Sequence, residues 1–139
     1  MARIFVDSGA WIALIDPSDR LHSAARPYFR DLTGADKLVT SNYVVQEVVT
    51  WFVYHRRHRY VLPFRQLIEA SELTHLLERV WTTRELDEAA WEIYEQFADQ
   101  RFSFADCNSI ALCREEDINT AFSFDRHFTI AGLTRVPTS

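Results

Sequence analysis

Glycine is scarce. The 139 residues contain three, Gly9, Gly34 and Gly132, and no two share a loop. P-loops and dinucleotide fingerprints need several glycines in one turn, so both phosphate cradles are excluded. Cysteine is limited to Cys107 and Cys113. On a helix that spacing turns the second thiol by about 240°, to a different side, so the pair is not expected to bridge. There is no C-x-x-C, and two buried, reduced thiols are expected. Lysine occurs once, at Lys37, which denies the chain the late lysine of a response-regulator receiver. No apolar stretch approaches the ~18 residues of a membrane span. The opening MARIFVD lacks the long apolar segment of a secretory leader. A cytoplasmic protein without membrane contact is expected. G-x-S-x-G is absent, and neither cysteine has a histidine near it in sequence, so nucleophile chemistry has little support.

What is present describes a soluble globule, with 47% hydrophobic and 25% charged residues. The length predicts one domain over residues 1–139. Net charge is −5, which excludes charge-driven, histone-like nucleic-acid binding. The charge is uneven. Trp51–Val80 carries five Arg against three Glu, whereas Glu85–Asp117 carries two Arg against ten acids. Distinct faces are implied.

Ile4–Val6 reads as a buried strand, and Ala10–Ile15 as a helix. Ser18 is a candidate cap for a helix carrying Leu21, Ala25, Tyr28 and Phe29, with Pro27 inside it as a kink or stop. Lys37–Thr40 reads as a second strand. Ser41 or Asn42 would cap a helix from Tyr43 to about Arg57. Leu62–Glu72 reads as a helix, Val80–Thr82 as a strand, and Asp87–Asp99 and Asp106–Glu116 as helices. Ala121–Phe124 reads as a strand ending at Asp125, and Val136 as part of a last one. Strands alternating with helices predict βαβ crossovers, a parallel sheet and helices on both faces.

Four carboxylates stand out by position. Asp7 follows Ile4-Phe5-Val6, and Asp125 follows Ala121-Phe122-Ser123-Phe124. Both fall at a strand's carboxyl end, where open parallel sheets bind ligands. Asp106 opens a helix, and Glu47 lies among Val44, Val45, Val48 and Val49. Each acid has a plainer role open to it: a helix cap for Asp106, a turn for Asp7 and Asp125, a solvated stripe for Glu47. Gathered together they would raise one another's pKa, and a divalent cation would remove that penalty. Carboxylates without an organised Cys or His set suit Mg²⁺ or Mn²⁺. His55 and His58 have cationic neighbours, which oppose a metal. His127 follows Asp125 by two, and a structural role is expected of it. His55-Arg56-Arg57-His58-Arg59 reads either as a helix end matched to its dipole or as a rim contacting phosphate.

With these residues the chain resembles a PIN domain, the nuclease domain of VapC-type toxins from toxin–antitoxin pairs. The matching pieces are Ile4-Phe5-Val6-Asp7-Ser8, Val39-Thr40-Ser41-Asn42-Tyr43-Val44-Val45-Gln46-Glu47, Phe102-Ser103-Phe104-Ala105-Asp106-Cys107 and Phe122-Ser123-Phe124-Asp125-Arg126-His127-Phe128. The resemblance implies a parallel sheet in an α/β/α sandwich and a Mg²⁺- or Mn²⁺-dependent ribonuclease. Asp7, Glu47, Asp106 and Asp125 would be its catalytic and metal-binding quartet, with Arg56, Arg57 and Arg59 as RNA backbone contacts. Gly9 and Ala105 depart from the family, which often has Ser or Thr at the first place and usually Thr at the second. A haloacid-dehalogenase-like phosphatase would need an acid at Gly9. A non-catalytic RNA- or protein-binding module and a housekeeping nuclease are the alternatives on the same fold. Trp51, Trp81, Trp91 and ten Phe leave apolar surface for self-association or an antitoxin, and the resemblance favours a homodimer.

Overall fold

The computed structural model describes residues 2–138. Strand β1 (Ala2–Val6) is buried over its last three residues and leads through Asp7 into helix α1 (Ser8–Ile15). Helix α2 (His22–Arg30), strand β2 (Asp36–Ser41), helix α3 (Asn42–Tyr54), a 3₁₀ turn (His58–Tyr60) and helix α4 (Val61–Leu73) follow. Strand β3 (Leu77–Val80), helices α5 (Arg84–Gln96) and α6 (Phe104–Glu115), strand β4 (Thr120–Phe122), helix α7 (Arg126–Ile130) and strand β5 (Thr134–Val136) complete the order.

The five strands form one parallel sheet in the order β3-β2-β1-β4-β5. With its helices it is the three-layer α/β/α sandwich expected from the alternation. Strand β1 is central. The chain winds outward to β2 and β3 on one side, then returns to place β4 on the other. The gap beyond the carboxyl ends of β1 and β4 is therefore the topological switch point, where such sheets open a crevice. Val6 pairs with Phe122 and Phe5 with Val39, so Asp7 and Ser123 are the first residues past the paired rows.

The core is apolar and closely filled. Phe5, Trp11, Phe52, Phe64, Phe122 and Phe128 are its largest fully buried side chains. Trp11 is satisfied as well as buried, because its indole N–H donates to Thr40 Oγ1 at 3.2 Å. Helix α6 is buried without a break from Cys107 to Cys113, and both thiols are free and buried, as the spacing predicts.

The scarcity of glycine shows at the helix ends. Helices α3, α4 and α6 each end in a left-handed residue that is not glycine: Arg56, His75 and Asp117, at φ near 60°. In each the next amide bonds back across the turn, Arg57 N–H to Phe52 O, Leu76 N–H to Ser71 O and Ile118 N–H to Cys113 O. These are Schellman closures, formed at a cost of about 1 kcal/mol each relative to glycine. Among the described residues only α7 closes on a glycine, Gly132 at φ 97°.

Several expected boundaries shift. Helix α3 stops at Tyr54 rather than Arg57, because Arg56 takes the left-handed turn. The third strand is Leu77–Val80, not Val80–Thr82: its pairing with β2 runs from Leu38↔Leu77 to Ser41↔Val80. Ser18 does not cap α2, whose N-cap is Leu21, and instead bonds to Asp16. Pro27 neither stops nor ends α2, which runs on to Arg30. The proline removes a single bond, to the carbonyl of Ser23 at the exposed start of the helix. The short α7 and the 3₁₀ turn were not expected from the sequence.

Candidate active site

Asp7 stands at the switch point. It is the N-cap of α1, with extended backbone (φ −81°, ψ 162°), but its side chain makes no capping bond. The carboxylate turns instead to β4. Ser123 Oγ donates to Asp7 Oδ2 at 3.1 Å, and the Asp125 amide donates to Ser123 Oγ at 3.0 Å. Ser123 is buried and links the acids that follow the two central strands. Its signal in the sequence was present but masked, because Phe122-Ser123-Phe124 reads as an alternating strand.

Asp106 lies in the first turn of α6. Ser103 is the N-cap, and a capping box forms: Ser103 N–H donates to Asp106 Oδ2 at 2.9 Å, and Asp106 N–H to Ser103 Oγ at 3.0 Å. This bonding employs one carboxylate oxygen, so the structural role and a ligand role do not compete. Asp125 also caps, accepting the His127 amide at 2.9 Å. His127 then spans both acids, its Nδ1 lying 3.0 Å from Asp106 Oδ2 and 3.0 Å from Asp125 Oδ1. Donor atoms of Asp106, Asp125 and His127 lie within 4.8 Å of one another. His127 thus belongs to the cluster geometrically, which the sequence alone did not reveal. Its spacing of two from Asp125 was the available clue.

Glu47 comes from α3, set by Ser41, whose hydroxyl caps that helix by accepting the Val44 amide at 3.0 Å. Its pKa is raised first by burial and then by Asp106 and Asp125, while the Ser8 hydroxyl pulls it down. Asp7 is pushed further, to about 7. Burial is the main cause; Asp106 and Glu47 add to it, while the Ser8 amide and the Ser123 hydroxyl oppose it. Asp7 therefore feels the charges of Asp106 and Glu47, and Glu47 those of Asp106 and Asp125, and no arginine or lysine forms an ion pair with the four acids among the described residues. A buried carboxylate held in this way fits a divalent cation: the donors are mostly carboxylate oxygens, with one imidazole, a set suited to Mg²⁺ or Mn²⁺.

The basic run behaves differently. Arg56 and Arg59 are exposed. Arg57 turns inward and donates from Nη1 to Asp16 Oδ2 at 2.8 Å. Asp16, which the sequence reading passed over, is sealed from solvent. Trp51 is half-buried beside the site, whereas Trp81 and Trp91 are exposed.

A parallel sheet with acids gathered at its switch point defines a nuclease-like α/β/α domain. The family model of the PIN domain matches residues 4–132, and the chain belongs to that family. Over 135 residues it is 32% identical to the 23S rRNA-specific endonuclease VapC20 of Mycobacterium tuberculosis (strain CDC 1551 / Oshkosh), covering 96% of this chain and 97% of the relative. The crystal structure of M. tuberculosis VapC20, described as a Sarcin-Ricin loop cleaving toxin, superposes with a TM-score of 0.82 at 30% identity, over 94% of this chain and 96% of that one. VapBC2 from Rickettsia felis, bound to a DNA fragment from its promoter, shares the fold at 10% identity and a TM-score of 0.71, over 96% of each chain.

Proposed function

We propose that this chain is a divalent-metal-dependent endoribonuclease acting as the toxin of a toxin–antitoxin pair. The observation that carries the reading is the gathering of Asp106, Asp125 and His127 donor atoms within 4.8 Å of one another, beside buried Asp7, which Ser123 ties to Asp125. Asp7, Asp106, Asp125 and Glu47 would hold Mg²⁺ or Mn²⁺, with His127 alongside. A bound cation supplies Lewis-acid charge and lowers the pKa of water. The chain's own groups do the rest. Ser123 fixes the Asp7 carboxylate, and the capping box fixes Asp106. The carboxylates that hold the cation would also accept a proton from the attacking water. Arg56 and Arg59 are exposed for backbone phosphates, whereas Arg57 is committed to Asp16.

The likeness to VapC20 over nearly the full length supports RNA as substrate and makes ribosomal RNA the first target to test. A small antitoxin as partner and work in the cytoplasm complete the proposal. A homodimer would cover the exposed Trp91 and Tyr94 on α5. The test is cleavage of RNA by the purified protein in Mg²⁺ or Mn²⁺, compared with Asp7→Asn. Cleavage that stops without metal and in the variant supports the reading; wild-type cleavage by Asp7→Asn refutes it.

A further inference from the structure

Beside the acids the crevice widens into an open pocket of about 480 Å³, lined in part by Asp7 and Asp125. The rest of its lining is of another kind. Ile12, Leu21, Trp51 and Phe124 present apolar and aromatic surface, and Asp19 and Arg126 add one charge of each sign. A cation site alone has no use for aromatic walls.

Trp51 is held before any ligand arrives. The His55 ring stacks on it at 3.9 Å, with the planes 16° apart. The Arg57 guanidinium lies 5.3 Å from its ring centre, and Arg57 is anchored by the 2.8 Å bond to Asp16. A wall fixed in advance lowers the ordering cost of binding. Asp19 keeps acceptor capacity too: one oxygen takes the Leu21 amide at 2.9 Å, and the other takes no bond among the described residues.

We infer that this pocket receives one unstacked nucleobase of the RNA, next to the scissile phosphate. Trp51 and Phe124 form its aromatic walls, and Asp19 accepts N–H donors on the base edge. The inference rests on the ribonuclease reading and adds a specificity subsite to it. Unpaired RNA is commonly read in this way, with splayed bases stacked on aromatic side chains and bonded along their Watson–Crick edge. Charge points to the same conclusion. The chain carries −5 and holds Arg57 on Asp16, so its overall charge does not attract RNA. Stacking supplies affinity that does not depend on a basic surface.

The test uses the full chain with Mn²⁺ and a short RNA, remade with an abasic ribose at each position in turn. One position is expected to lose about 5- to 150-fold in kcat/KM, the loss of one stacked base. Trp51→Ala should lose a similar factor on the intact RNA but little more on the RNA abasic at that position. Trp51→Phe should retain most activity on the intact RNA. Phe124→Leu, which keeps apolar volume without the ring, should show the same non-additivity. Asp19→Asn should alter which base is preferred there, and an unchanged preference overturns its part. If Trp51 only supported the fold, the two losses would multiply; that result, or equal cleavage of all abasic RNAs, overturns the pocket. A second measurement separates this inference from the activity. A fluorescent base analogue, scanned through the RNA bound to Asp7→Asn protein, should be quenched at one position and not when Trp51→Ala is added. Quenching without any metal-dependent cleavage by the parent protein sinks the ribonuclease reading and leaves the pocket standing. Cleavage that needs Asp7, with neither quenching nor non-additivity, sinks the pocket alone.

Discussion

Helix α1 has a buried aspartate at each end, and the two live under opposite conditions. Asp7 caps the N-terminus, where the helix dipole favours a negative charge, and Asp16 caps the C-terminus, where the dipole opposes it. The pKa values run the other way. Asp7 is pushed up to about 7 by burial and by Asp106 and Glu47. Asp16 is buried too, yet bonds from the Ser18 hydroxyl and amide, then Arg57 and Arg59, outweigh the burial and hold it below the ordinary range. Partners, not the dipole, decide. A buried acid with a matched cation is architecture. A buried acid facing other acids is destabilising on its own, and it persists where a ligand or a reaction needs it.

The largest expected effect separates the two in activity. Asp7→Asn should lower RNA cleavage by more than about 100-fold. Asp16→Ala should reduce cleavage by the folded fraction far less. Parallel turnover assays on the two proteins check this, and similar losses would erase the distinction.

Stability should sort them in the opposite order. Asp16→Ala leaves Arg57 without its partner and should cost about 2–3 kcal/mol in denaturant unfolding. Arg57→Ala should cost about 2 kcal/mol, since it strands the sealed Asp16 carboxylate. Arg56→Ala, one position away and exposed, should stay within about 0.5 kcal/mol. Metal-free Asp7→Asn should instead be more stable than the parent at pH 8, by about 2 kcal/mol and at most about 4.

The pH dependence follows with opposite signs. A raised pKa means that the native state holds its proton longer than the unfolded chain does. The Asp7 penalty therefore grows as pH rises from about 4 to about 7 and is complete above that, so the gain from Asp7→Asn should fade on acidification across that window. Asp16, with its pKa lowered, stabilises above the ordinary carboxylate range, and that contribution is lost as pH falls through its folded value. Melting temperatures of metal-free proteins across pH 3–8 test both signs, and added Mn²⁺ should remove the Asp7 penalty by mass action.

The smallest effect concerns the basic run. With Arg57 occupied, Arg56→Ala with Arg59→Ala should flatten the salt dependence of RNA binding by up to about two phosphate contacts' worth of slope. An unchanged slope means that RNA does not cross this rim.

The α/β alternation was legible because buried parallel strands are short apolar runs and the helices between them carry amphipathic spacing. Ile4-Phe5-Val6 and Ala121-Phe122-Ser123-Phe124 announced the two central strands, although β4 stops at Phe122, and the acids after them marked the edge where a switch point forms. Ser41 as the cap of α3 was legible as one of two candidates. Boundaries were less so. The end of α3 depends on Arg56 accepting a left-handed turn, and β3 on a pairing register with β2, neither of which local propensity sets.

Sequence by itself determined the layered architecture and the placing of Asp7, Glu47, Asp106 and Asp125 at element ends or on an apolar helix, because those follow from periodicity and chain polarity. Only the tertiary structure decided which charges are answered and which are not. Arg57 looked like one of three equivalent rim arginines, but the closure of α3 turns it onto Asp16, forty-one positions away. Ser123 and His127 looked structural, but the neighbouring of β1 and β4 lays Ser123 against Asp7, and α7 carries His127 to Asp106. Charge type is written residue by residue; burial, which gives a charge its energetic weight, exists only once distant segments have packed around it.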